Sequence, residues 1–229
     1  MQWNFDIQRE LPMGILFDVG YAGNRGIGFQ QDRQLNTLPD SALALGAALR
    51  TQVENPFFGK IASGALAQRT VSRAQLLRPF PQFDGMNSVN NSWANSRYHS
   101  LQMKVEKRYA RGLTVLGAWT FSKLMDYGIG PFGGETLGGA AFQNWNDLKS
   151  EWGTSTSDQT HRLVLNTVYE LPFFRGSKGA LNRAFGGWQI GVISSFISGG
   201  PLGMGAAVNN TFSQGGGQRP NWNGKSPTL

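Results

Sequence analysis

The strongest constraint on this chain is a period of two. Six stretches alternate apolar and polar residues for about ten positions each, and every apolar row has an aromatic residue at one or both ends. The clearest pair is Leu101, Met103, Val105, Tyr109 followed by Leu113, Val115, Trp119, Phe121. Side chains alternate across a strand, so each row defines one face of a β-strand. About ten tilted strand residues cross the apolar layer of a bilayer, and aromatic rings collect at its two water boundaries. The pattern predicts transmembrane strands.

Composition agrees with an all-β reading. Gly occurs 31 times and charged residues make up only 15% of the 229, which suits strands joined by turn-rich loops. With no cysteine in the chain, disulfides, thiolate metal sites and thiol catalysis are excluded. The segment from Met1 to Asp6 lacks the basic and apolar regions of an export signal, so an exported protein is expected to begin upstream of it. No apolar run approaches the ~18 residues of a membrane-spanning helix. The net charge of +7 raises nucleic acid as a partner. However, Arg9, Lys107, Arg108, Arg111, Arg175, Lys178 and Arg183 cluster at three short connections, where anionic lipid head groups are the expected partner. Nucleic acid is not expected.

Three hairpins follow, at about 2–22, 98–122 and 161–198. Their reversals carry Pro12 and Gly14, Arg111 and Gly112, and Pro172 and Gly176. Between them lie long loops at about 23–97 and 123–160. Within the first loop, 40–53 and 65–77 have helical composition, and a weak strand is expected at 202–208. Connections therefore alternate short and long. If short turns face the periplasm and long loops the exterior, Trp3, Tyr21, Trp119, Phe121 and Phe196 fall at the outer boundary. Tyr109, Tyr169 and Trp188 then fall at the inner one. The expected fold is an antiparallel up-and-down transmembrane β-barrel segment of six to seven strands, an open arc of a larger barrel in the outer membrane. A soluble β-sandwich alternates equally well but has no reason to sort rings to two levels.

Catalytic signatures are weak. Ser157, Asp158 and His161 have triad chemistry, but near-neighbours in sequence rarely reach triad geometry and no nucleophile elbow surrounds Ser157. The glycine runs 23–28 and 130–139 lack the Gly-Lys-Ser/Thr ending of a phosphate loop. Asp147, Glu151 and Asp158 match no calcium-loop spacing, and His99 and His161 are too few for a transition-metal site. No enzyme activity, cofactor or metal is expected. The better candidates for ligand contact are loop aromatics: Phe57, Phe58, Phe80, Phe83, Trp93, Trp145 and Trp152. Rings of this kind offer a platform for a sugar or peptide, or else pack on one another.

Several segments carry a family likeness. They are 98–109 (YHSLQMKVEKRY), 112–114 (GLT), 119–123 (WTFSK), 158–162 (DQTHR), 168–173 (VYELPF), 186–189 (GGWQ), 7–12 (IQRELP) and 19–26 (VGYAGNRG). In order and over nearly the whole length, the chain resembles the barrel region of Oar-like TonB-dependent receptors. That resemblance implies a Gram-negative outer-membrane barrel of about 22 strands with an N-terminal plug, energised through TonB and importing an unidentified solute. Residues 1–229 contain no plug domain, and their last residues lack an aromatic-terminated final strand. The chain is therefore expected to be an internal piece of a larger receptor. The alternatives are a surface-binding or adhesive outer-membrane barrel without transport, and a soluble β-rich binding module.

Overall fold

The computed structural model describes residues 1–110, 112–128, 142–172, 187–203, 205–206, 208–213 and 218–220, with backbone only at 108–110. The chain divides into two compact units. The first comprises Met1–Gly26, Ser96–Met125 and Thr156–Pro201, and the second Ile27–Asn95, Asp126–Ser155 and Leu202–Leu229.

The first unit is built on the period-two rows. Its strands are β1 (Gln2–Leu11), β2 (Ile15–Gln34), β5 (Asn87–Ala110), β6 (Leu113–Asp126), β8 (His161–Glu170) and β9 (Gln189–Ile197). They lie side by side in the order β1-β2-β5-β6-β8-β9, each next to its neighbour in the chain among these six. The β1–β2 reversal is tight because Leu11 pairs with Ile15, and Met13 and Gly14 both take φ of 68°. Glycine accepts that left-handed conformation without a Cβ penalty.

Register confirms that the rows share a face. Ile7 opposes Val19, Phe5 opposes Tyr21 and Trp3 opposes Gly23. Further along, Trp119 opposes Leu163, which opposes Phe196. At the other strand end Leu113 opposes Tyr169, which opposes Ile190. Within β6, β8 and β9 the aromatic side chains thus fall at two levels, Trp119, Phe121 and Phe196 at one and Tyr169 at the other, with the Tyr109 side chain outside the described residues. This apolar face is uncovered: Phe5 is 67% exposed, Ile7 62% and Phe196 59%. A soluble sandwich would close such rows into a core, so the binding-module reading loses its main support. The opposite face is polar on β1 and β5 and mixed on β9, where Ile193 and Ile197 lie among Gly191 and Ser195.

The second unit departs from the sequence reading at its edges. Strands β2 and β5 run on to Gln34 and back to Asn87, through segments expected to be loop. There Leu35 N donates to Met86 O at 2.7 Å and Gly28 N to Asn95 Oδ1 at 3.4 Å. The helix expected over 40–53 is a 3₁₀ turn, Asp40–Arg50, interrupted where Gly46 adopts φ of 52°. The one expected over 65–77 is split into a 3₁₀ turn (Ala65–Ala67), strand β4 (Thr70–Ser72) and a single turn α1 (Arg73–Leu76). Strand β4 pairs with β3 (Gln52–Glu54), and a last short strand, β7, covers Gly153–Thr154. β-Branched Thr70 and Val71 favour extended backbone over helix, which explains the split. A small core of Leu38, Leu49, Leu66, Val71, Ala94 and Phe142 is buried in this unit. The described residues of 202–208 form no strand, and the glycine run 130–139 lies outside the described residues.

Candidate functional site

At one end of the sheet the rings are in contact. His99 stacks on Tyr21 at 6.0 Å between centroids and meets Trp3 edge-on at 6.3 Å, and the Tyr21 hydroxyl is hydrogen-bonded to His99 Nδ1 at 2.5 Å. His161 stacks on Trp119 at 5.8 Å and tilts against Phe121 at 5.1 Å. Imidazoles, amphipathic like Tyr and Trp, complete this girdle. The sequence does not reveal them as girdle residues, because there His99 and His161 read as metal ligands and His161 also as a triad base. Gly23 belongs to the same cluster: a Cβ placed there would overlap Trp3 Cε2 and Nε1 and lie 2.6 Å from Cζ2.

On the polar face a cavity of about 350 Å³ includes Asn4, Asp6, Asp18, Gln102 and Lys104 in its lining. Nearby, Lys104 Nζ pairs with Glu106 at 3.2 Å, and Ser100 Oγ donates to Ala22 O at 3.4 Å. Polar groups here need water or partners, as a barrel interior supplies.

The candidate triad is not assembled. Asp158, 3% exposed, accepts from Leu124 N at 2.6 Å and Lys123 Nζ at 3.2 Å, tying the start of β8 to the end of β6. His161 instead packs on Trp119 and Phe121. Glu151 accepts from Gln143 N and Asn144 N and pairs with Arg219 at 2.9 Å. Among the described residues no three His, Cys, Asp or Glu side chains gather as a metal site requires.

The seven loop aromatics separate into groups. Trp93 is 5.9 Å from Phe142, which is 4.5 Å from Trp145, and Trp93 and Trp152 both pack edge-on against Tyr127 at 5.3 and 4.9 Å. These tryptophans are half-buried, each occupied by another ring. Phe80 and Phe83 are exposed on a turn that two buried amides hold rigid. Asn36 Nδ2 donates to Phe80 O and Phe83 O at 2.8 Å each, and Gln75 Nε2 donates to Pro81 O at 2.9 Å and Phe83 O at 2.8 Å. Beside that turn, burial lowers the pKa of the Arg78 guanidinium, and the charge of Asp84 opposes the shift. Phe57 is half-buried, and Phe58 is exposed under the guanidinium of Arg69, 5.3 Å from its ring centroid.

Among the described residues Ser157, Asp158 and His161 form no triad. The geometry offers a sheet with one bare apolar face edged by rings, and a separate unit of stiffened surface loops. A family model described as an outer membrane beta barrel domain matches residues 1–229, the full length of the chain. No curated protein and no solved structure matches it.

Proposed function

Because the chain belongs to the outer membrane beta barrel domain family and is a segment of an outer-membrane β-barrel, we propose that it forms part of a TonB-dependent receptor that takes up an external solute. The apolar face of β1, β2, β5, β6, β8 and β9 contacts outer-membrane lipid, and the polar face lines the lumen. TonB engages the parent through a plug region outside these residues, and the long connections present the surface that meets the solute. The observation that carries this reading is the placement of connections. Both long excursions, β2 to β5 and β6 to β8, leave from one edge of the sheet, and the β1–β2 and β5–β6 turns lie at the other. Order in the described parts of the long excursions, held by Asn36, Gln75 and Glu151, suits capture of a ligand. The Oar-like segments supply the narrower identity.

The test uses the full-length parent in outer membranes, crosslinked to the periplasmic domain of TonB. A saturable crosslink that depends on the parent's own TonB-contacting segment is expected. A heat-modifiable, correctly inserted barrel with no such crosslink would overturn transport in favour of a surface-binding barrel. The exposed, pinned Phe80 and Phe83 suit that second reading too.

A further inference from the structure

We infer that the cavity beside the β3–β4 hairpin is a binding site for neutral saccharides, a site that rests on the reading above of the loops as a ligand-capturing surface. The cavity is about 520 Å³, within the ~300–1,000 Å³ usual for small-molecule sites, and Gln52, Glu54, Phe58, Arg69 and Thr70 line it. Register places Glu54 opposite Thr70 and Gln52 opposite Ser72, so Gln52, Glu54 and Thr70 share one face of the hairpin.

Two features mark this cluster, and the second sets it apart from the rest of the unit. The first is rigidity: Asn55, 3% exposed, donates to Leu66 O and Gln68 O at 2.7 Å each and accepts from Phe57 N at 2.9 Å, fixing both ends of the loop that carries Phe58. The second is vacancy of the polar groups. Asn36, Asn55, Gln75 and Glu151 all spend their hydrogen-bonding capacity on protein. Among the described residues, the side chains of Gln52, Glu54, Arg69 and Thr70 make no hydrogen bond or ion pair with protein; Arg69 only stacks on Phe58.

The chemistry of that set selects the ligand. An amide, a carboxylate and a guanidinium are planar groups that each reach two adjacent hydroxyls, and a threonine hydroxyl adds one donor and acceptor. Phe58 is 47% exposed and offers a ring for the C–H face of a pyranose. One carboxylate and one guanidinium leave the site without net charge, so an anionic sugar meets Glu54 and a cationic ligand meets Arg69. Too little of the lining is apolar to anchor a hydrophobic peptide side chain.

The test titrates the detergent-solubilised full-length parent with neutral hexasaccharides of glucose, xylose and mannose, and with hexagalacturonate as the acidic counterpart. At least one neutral probe is expected to bind, with affinity falling about tenfold in Phe58→Ala and several-fold in Glu54→Gln. Hexagalacturonate is expected to bind more weakly than the best neutral probe. The inference is overturned if no neutral probe binds by about 10 mM, if binding is unchanged in both variants, or if the acidic probe binds best. TonB crosslinking measured on the same variants keeps the two readings apart, since loss of saccharide binding should leave that crosslink intact.

Discussion

Substituting Gly23 by alanine tests whether the girdle is packed or merely populated. The two residues face each other across β1 and β2, and the indole ring of Trp3 occupies the space a Cβ would need. Both sit in strands, so neither end of the clash moves freely, and the ring must rotate away from His99 and Tyr21 or the strands must separate. In a bilayer the displaced ring still meets lipid, so the area-transfer term largely cancels and two packing terms remain. Overpacking costs about 1–3 kcal/mol, and loss of an edge-on aromatic contact about 0.5–1.5 kcal/mol. A net loss of about 1–3 kcal/mol is expected, since relief of one term is what incurs the other. Urea unfolding from vesicles followed by tryptophan emission reads this as a midpoint lower by roughly 1 M, for a slope of about 1–3 kcal/mol per molar. The control is the same substitution in a Trp3→Ala background, where no ring opposes the new methyl and the cost should fall below about 0.5 kcal/mol. Equal costs in both backgrounds would refute the argument, because the penalty would then belong to the strand and not to the ring.

Two further outcomes follow from the register and the loop pins. Leu165→Arg places a charge on the apolar face and should cost about 2–4 kcal/mol in vesicle folding, whereas Asn166→Arg on the opposite face should cost under about 1 kcal/mol; equal penalties would deny that the faces differ. Asn36→Ala removes three hydrogen bonds to the Phe80–Phe83 turn, at about 1–3 kcal/mol, and should speed chymotryptic cleavage after Phe80 or Phe83 without altering cleavage elsewhere; unchanged cleavage would show that the turn holds itself.

Strand faces were legible because period-two alternation is local: reading every second residue from Trp3 or Leu163 recovers the side that each occupies. The outward continuation of β2 was not, since Gly28-Phe29-Gln30-Gln31-Asp32-Arg33-Gln34 has no apolar row, and a strand that neither crosses a bilayer nor covers a core looks like loop. Helical composition at 65–77 misled because Thr70 and Val71 find partners in Glu54 and Val53 some 16 to 18 residues away. The candidate site was partly legible. Phe58 was recognisable as a ring in a loop, but Gln52, Glu54 and Arg69 gain meaning only from the hairpin that gathers them. Asn36 and Gln75 were invisible for the same reason, as their carbonyl partners are chosen by tertiary placement.

The chain contains two histidines, and both stand in the ring clusters of the sheet, His99 against Tyr21 and Trp3 and His161 against Trp119 and Phe121. The protein thus carries two native reporters at its boundary with water. Their ring-proton resonances, read without any engineered label, would register how deeply the barrel wall is immersed as bilayer thickness is varied, one from each half of the sheet.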